Sequence, residues 1–339
     1  MAIALFSTAI GGFVMATFPS FLVLQILYAY WGFTTVFLFW GAMIKATRLW
    51  GGGKNQGKAF GFLDGGRGII AAAMGSIGVF IFSMFLKIEI DLASVVEKQE
   101  AFRYVILFSS FTVIIIGALV LYSMEDEQKD QVKKNSSINS IKNIKSVLKI
   151  KSVWLMMMII MSAYVGYKLT DIYSLYASEV MLYNQIEAAE IGALQLYLRP
   201  LVCIVIGLLA DKTSNIRWII IGFLIMLIGA LLFASGIITS SMNIIFLLSL
   251  IITAVGTYAI RALYFAVFNE GRIPLDLTGT AVGIISIIGY TPDIFATPII
   301  GYLLDTYPGI IGHQYVFMIL VIFSILGLFA SIKFSKLNS

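Results

Sequence analysis

VWLMMMIIMSAYVGYKLTDIYSLY, residues 153–176, is the stretch on which the reading of the fold turns. The hydrocarbon core of a bilayer is about 30 Å thick, and about 20 consecutive apolar residues of helix cross it. This segment is long enough, and within it only Lys168 and Asp171 carry charge. NIIFLLSLIITAVGTYAIRALYFAVF, residues 243–268, repeats the pattern with Arg261 as its one charge. Working outward, the same reading predicts helices at 1–18, 20–46, 59–87, 102–123, 153–178, 187–210, 216–236, 243–268, 278–304 and 314–334. Hydrophobic residues make up 60% of the chain and charged residues 12%, and its mean hydropathy is +0.95. Soluble domains carry about 25% charge. The chain therefore reads as an all-α polytopic membrane protein with ten transmembrane helices, seated in a plasma or bacterial inner membrane.

Basic residues gather in every second gap. Lys45, Arg48, Lys54 and Lys58 follow the second stretch, and Lys129, Lys133, Lys134, Lys142, Lys145, Lys149 and Lys151 follow the fourth. Lys212 with Arg217, then Arg272, then Lys333 with Lys336 keep the alternation. The intervening gaps hold no basic residue, or the acids Glu179, Glu187 and Glu190, or His313. One gap is mixed, with Lys87, Lys98 and Arg103 beside Glu89, Asp91, Glu97 and Glu100. Positive loops face the cytoplasm, so both ends of the chain are expected there. The net charge of +5 thus reports membrane orientation rather than nucleic-acid binding. Met1 enters an apolar helix with no basic segment before it, unlike a signal peptide.

Cys203 is the only cysteine and His313 the only histidine. An internal disulfide and a cysteine metal cluster are excluded, and His313 reads as a loop residue. With no nucleophile–base set, an enzyme is not expected, and neither is a cofactor or a metal. Gly52 to Lys58 reads Gly-Gly-Lys-Asn-Gln-Gly-Lys, close to a phosphate-binding loop. The next residue is Ala59, which lacks the magnesium-binding hydroxyl, and no strand precedes it.

Glu125 to Lys151 is polar and rich in Lys, Asn and Ser. It reads as a cytoplasmic linker (125–152) between a bundle at 1–124 and a six-helix bundle at 153–339. Apolar residues at Ile141, Ile144, Val147 and Leu148 suit a short amphipathic helix over 138–150. The Asn135-Ser136-Ser137 sequon is expected to be silent on that side. The bundles resemble each other. Gly57-Lys-Ala-Phe-Gly61 parallels Gly279-Thr-Ala-Val-Gly283, and Ile10-Gly-Gly-Phe-Val-Met-Ala-Thr17 parallels Ile228-Gly-Ala-Leu-Leu-Phe-Ala-Ser235. Parallel repeats of this kind mark transporters. The 153–178 and 187–210 helices have no counterparts in the first bundle. Two further helices, about sixty to seventy residues, are accordingly expected ahead of Met1.

Gly207-Leu-Leu-Ala-Asp211-Lys212, followed by Arg217, resembles the Gly-x-x-x-Asp-basic loop of the major facilitator superfamily. Pro298, Gly301 and Asp305 resemble the end of that family's penultimate helix. The resemblance spans the chain, as the family's helices three to twelve. It implies two bundles rocking around a central cavity, lined here by 20–46, 153–178 and 243–268. It also implies that Asp211, Lys212 and Arg217 latch helix ends, although Asp211 equally suits a cap for the following helix.

An ionisable group inside hydrocarbon costs about 3 kcal/mol or more, so it marks function or a structural pair. Tyr164, Tyr167, Lys168 and Asp171 share one helical face. Arg199 follows Gln195 by one turn, Arg261 shares a face with Tyr258 and Phe265, and Asp293 lies beside Pro292 and near Tyr290. As a site, Lys168, Arg199 and Arg261 would hold an anion, the tyrosines would wall it, and Asp171 and Asp293 would balance charge or carry a proton. As structure, Lys168 would pair with Asp171, and Arg199 or Arg261 with Asp293. Asp64 and Arg67, among glycines, suit a gate or an ion pair between bundles in preference to ligand binding. Tyr28 and Trp31, with Thr35, suit either substrate stacking or packing.

These features point to a secondary transporter of a small organic anion, coupled to protons or to a counter-anion and working as a monomer in the lipid bilayer. The cationic residues are similar to those of the family's organophosphate-antiporter branch, although Lys168 stands where that branch has arginine. Sugar phosphate, sugar acid and other carboxylates all fit. The alternatives are an exporter of neutral or cationic compounds and a non-transporting membrane sensor.

Overall fold

The structure, a computed structural model, describes residues 1–86, 93–123 and 140–338. Lys87, Glu89 and Asp91, and most of the expected linker with Lys129, Lys133, Lys134 and its sequon, lie outside the described residues. The helices are α1 (Ala2–Met15), α2 (Phe21–Gly51), α3 (Gln56–Phe85), α4 (Val95–Ser123), α5 (Ser140–Leu148), α6 (Lys151–Glu179), α7 (Gln185–Asp211), α8 (Asn215–Ala234), α9 (Asn243–Leu263), α10 (Thr278–Thr306) and α11 (Ile310–Asn338). Among the described residues no strand occurs. Nine helices there are long and apolar enough to cross a membrane, and α1 is a shorter apolar helix. All ten expected apolar helices form, and so does the short helix expected near 138–150.

Several boundaries differ for local reasons. α4 starts at Val95 rather than 102, because Ser94 and Glu97 form a capping box. The Ser94 amide donates to Glu97 Oε2 at 2.8 Å, and the Glu97 amide donates to Ser94 Oγ at 3.3 Å. α7 starts on a second such box, between Asn184 and Glu187. α6 tightens into a 3-10 turn at Leu169–Asp171, and α2 widens into a π-helical stretch at Phe33–Trp40. α10 is interrupted at Tyr290 and Thr291 and restarts at Pro292, where a missing amide hydrogen costs nothing. His313 is not in a loop. It is fully buried on α11, 3.0 Å from Glu179 and packed on the ring of Tyr176.

The described chain divides into two compact units, Met1–Ala46 with Ile70–Asn143 and Thr47–Ile69 with Ile144–Ser339. In the first, α2 is tied to α1 by its polar aromatic residues. Trp31 Nε1 donates to Thr8 O at 3.0 Å, and Tyr30 OH donates to Ser7 O at 2.7 Å. The indole of Trp31 lies against Gly11, where a side chain would not fit. Gly12 gives the same close approach to Ser110 of α4.

The second unit has a dense interior. Tyr173, Tyr176, Phe233, Phe246 and Phe317 are fully buried and packed ring on ring, with Phe233 and Phe317 stacked 4.3 Å apart. Lipid tails are as apolar as these rings, so close dispersion contact and interhelical hydrogen bonds hold the bundle. α8 and α9 meet through Gly222 and Gly256. A Cβ on Gly256 would fall 2.5 Å from the Met226 nitrogen and 2.7 Å from the Gly222 oxygen. The start of α3 lies on α7 in the same way. A Cβ on Gly57 would fall 2.6 Å from Gly207 O, and one on Gly61 would fall 2.6 Å from Cys203 O.

Candidate functional site

That glycine seam positions the central acid. Asp64 stands one residue before Gly65, which faces Pro200 and Ile204 of α7. Its carboxylate meets three guanidinium groups. Arg199 grips it with two donors, Nη2 to Oδ1 at 2.9 Å and Nε to Oδ2 at 3.3 Å. Arg67, one turn along α3, reaches Oδ1 at 3.3 Å. Arg261 of α9 brings Nε to 3.5 Å from Oδ2. The Cys203 thiol completes the shell, 3.5 Å from Oδ2. The side chains of Asp64, Arg261 and Arg199 are 8%, 7% and 12% exposed, so water screens this cluster poorly. Three guanidinium groups thus share this one carboxylate.

Arg261 is the unsatisfied member. Its Nε and Nη1 are buried and have no hydrogen-bond partner among the described residues. Its guanidinium lies flat on the Tyr167 ring, 3.6 Å from the centroid, and the Arg199 guanidinium stands 5.8 Å from the same ring. A desolvated cation on an aromatic face gains about 2 kcal/mol, but its N–H groups still need acceptors. Tyr258, one turn before Arg261, is buried and donates to Gln195 Oε1 at 3.2 Å.

A second pair forms beside it. Lys168 Nζ contacts Asp293 Oδ1 at 2.8 Å, and Tyr164 OH donates to Asp293 Oδ2 at 2.9 Å. The Tyr164 ring meets Tyr290 at 4.8 Å, and Tyr290 OH lies 3.4 Å from Tyr264 OH. The side chains of Lys168 and Asp293 are 25% and 49% exposed.

These contacts revise the expected pairings. Lys168 pairs with Asp293 rather than Asp171. Asp171 lies exposed on the 3-10 turn, where a same-helix surface pair gains under about 1 kcal/mol. Arg199 and Arg261 turn to Asp64 rather than Asp293, because the glycine seam carries Asp64 onto α7. Asp211 does not cap the helix that follows it. Its oxygens accept from the Gly57 and Lys58 amides at 2.6 and 2.7 Å, at the start of α3. The α8 start is capped by Glu270, which accepts from the Asn215 and Ile216 amides at 2.8 and 3.1 Å. Lys212 and Arg217 are exposed. In the first unit, the indole of Trp31 is taken up by α1, and Tyr28 is 63% exposed.

Arg48 was legible only as a loop charge. α2 runs on to Gly51, and Arg48 is 5% exposed. It donates Nε to Asn269 Oδ1 at 3.0 Å, Nη1 to Thr278 Oγ1 at 2.7 Å, and Nη2 to Ile273 O, all neutral acceptors. Asn269 and Glu270 thus serve two different helices from adjacent positions.

A helical membrane-spanning fold with charges gathered between its spans is the architecture of a membrane transporter. The sequence profile of the Major Facilitator Superfamily matches residues 1–291, and the chain belongs to that superfamily. Two Escherichia coli relatives are inner membrane protein YqcE and inner membrane protein YihN. YqcE is 28% identical over 90% of this chain and 71% of its own length. YihN is 26% identical over 99% of this chain and 79% of its own. Among solved structures, FucP in the outward conformation superposes with a TM-score of 0.72, 13% identity, and coverage of 100% of this chain and 82% of FucP. A bacterial homologue of the iron transporter ferroportin gives 0.60, with 11% identity and coverage of 99% and 80%. Family and fold are those of transporters, not enzymes.

Proposed function

We propose that this chain moves a small organic anion, a sugar phosphate, sugar acid or other carboxylate, across an inner membrane by alternating access. The observation that carries this reading is Arg261, a buried guanidinium with free donors in a cluster of surplus positive charge. Such a fork suits the oxygens of a carboxylate or phosphate. Lys168 supplies a second cation once it leaves Asp293. Tyr164, Tyr167 and Tyr258 wall the body of the substrate, and Arg199 holds the cluster in place. Asp293, half exposed, is the group to carry a coupled proton, and exchange against a counter-anion is the alternative coupling. Asp64 with Arg67, and Asp211 with Lys212 and Arg217, act as gates. Both chain ends face the cytoplasm, and the bundles are 1–124 and 153–339, joined by 125–152.

A second reading has its own support. Lys168 and Arg199 are already paired with acids, and hydroxyl-bearing rings are plentiful here, which suits a neutral polyol. FucP, similar in fold, is a fucose:proton symporter. The deciding test is a thermal-stability screen of the purified protein against sugar phosphates, glycerol phosphate, sugar acids, sulfonates and dicarboxylates, with neutral sugars beside them. The anion reading expects one anion class to raise the melting temperature, an effect lost in Arg261→Ala and Lys168→Ala. A response to neutral sugars alone would replace it with the polyol reading.

A further inference from the structure

We infer that His313 and Glu179 form a proton-operated clamp at the end of α6 opposite Lys151. With the imidazole neutral, the clamp holds the last turn of α6 and the connection that follows it. A proton taken up by the imidazole releases both. The inference goes beyond the anion reading and does not rest on it. It borrows only the orientation proposed above, by which this end faces away from the cytoplasm.

His313 lies in the first turn of α11 with its side chain fully buried, whereas the Glu179 side chain is 42% exposed. Its Nε2 stands 3.0 Å from Glu179 Oε2. A neutral imidazole facing an ionised carboxylate carries its hydrogen on Nε2 and donates it there. Nδ1 is then a bare lone pair, and it has no hydrogen-bond partner among the described residues. A lone pair left bare costs less than the N–H of a charged ring left bare. A proton on Nδ1 creates that buried ionic donor. Glu179 is the charged group facing the ring, and from partly in water it returns only a screened attraction. Tyr176 of α6 is the other titratable group against the imidazole, its ring edge-on at 5.0 Å. Phe233 of α8 and Phe246 of α9 complete the packing on Tyr176 and do not titrate, and Tyr183 packs on Phe246.

The clamp grips a strained segment. Tyr176 O accepts from the Val180 and Met181 amides at 2.9 and 3.2 Å, and Ala177 O accepts from the Tyr183 amide at 2.9 Å. These bonds wrap the chain around Leu182, whose φ of +61° lies in the left-handed region. A residue with a side chain persists there only where its surroundings hold it. Leu182 is 74% exposed and has little packing of its own, so the hold comes from the end of α6. Further back, the 3-10 turn at Leu169–Asp171 joins this end to Lys168, Tyr167 and Tyr164. Release at the clamp therefore loosens the helix that walls the candidate site.

His313 is the only histidine in the chain. Isotope-labelled histidine in the purified full chain, in nanodiscs and with a histidine-free tag, thus gives the nuclear magnetic resonance signal of this ring alone. At pH ~7.5, above the ordinary imidazole range, the ring should be neutral with its hydrogen on Nε2. As the ring takes its proton, the amides of Val180, Met181 and Tyr183 should lose hydrogen-exchange protection with the same midpoint. Corrected for intrinsic rates, the loss should approach about tenfold per pH unit below ~6.5, as linkage to one proton requires. His313→Gln keeps a neutral donor but takes no proton, so its protection should stay within about twofold over that range. Glu179→Gln keeps an acceptor and should keep the transition.

A ring already charged at pH ~7.5, or one that titrates while the three amides stay protected, overturns the inference. So does a transition that survives in His313→Gln or vanishes in Glu179→Gln, because the carboxylate would then be the sensor. If a variant does not fold, the wild-type ring signal and exchange decide alone. Each of these outcomes leaves the anion reading to its own melting screen.

Discussion

Helices α2, α3 and α4 are as apolar as α6 to α11, yet they are packed very differently. The most apolar windows of the first group are 6–11% buried inside the protein, and those of the second group 28–56%, at overlapping hydropathies. Apolarity therefore identifies a span but says nothing of what the span faces, because lipid and protein interior are alike to a leucine. Glycine makes close crossings in both units, at Gly11 and Gly12 in the first, and ion pairs join them in the second. The second unit carries Gly222, Gly256 and Gly207 at backbone contacts, and the ion pairs of Asp64 and Asp293. In the first, Thr8, Trp31 and Tyr30 make a few neutral hydrogen bonds. The ion pairs of Asp64, Asp293 and Glu179 all lie in the segments 47–69 and 144–339.

The contrast can be broken at several points. Arg199→Ala, which strands Asp64 among weaker partners, should cost about 3–5 kcal/mol, read as lost thermal stability in detergent. A variant as stable as wild type would mean that the cluster does not hold its helices. Arg261→Lys keeps the charge but loses the planar fork. Anion affinity should fall about 10- to 100-fold with little loss of stability, measured by ligand-induced melting shifts. Gly61→Val forces a branched side chain against Cys203 O and should destabilise by about 2 kcal/mol. The same change at Gly66, which faces open space, should cost less than half as much, and equal costs would dissolve the seam. Asp211→Asn weakens the cap on α3 by about 1 kcal/mol. Tyr28→Ala, on an exposed ring, should stay within about 0.5 kcal/mol and leave transport unchanged. A large transport defect there would place substrate contacts in the first unit.

The helices were legible because hydropathy over a span is a local property. α4 began earlier than expected because Ser94 and Glu97 lay in a gap dominated by its mixed charges, although their spacing is a capping signature. The ionisable residues inside the spans were legible one by one, and their partners were not. Lys168 and Asp171 looked paired because a single helix face is all that spacing reveals. The partner that forms, Asp293, arrives from another helix. Asp64 and Arg199 are likewise joined only through a glycine contact that two separate motifs do not advertise. The repeat matched Gly57-x-x-x-Gly61 to Gly279-x-x-x-Gly283. In the fold the first pair abuts α7, and the second meets open space.

The cap on α3 also sets an order of events during synthesis. Gly57 and Lys58 receive their acceptor from Asp211, a residue made much later, and Arg48 waits longer still for Asn269 and Thr278. The hairpin of α2 and α3 thus leaves the ribosome with its turn unfinished, until the end of the seventh helix and the start of the tenth arrive. Its final shape is a late event in the life of the nascent chain, completed by residues that the ribosome has yet to read when the hairpin first enters the membrane.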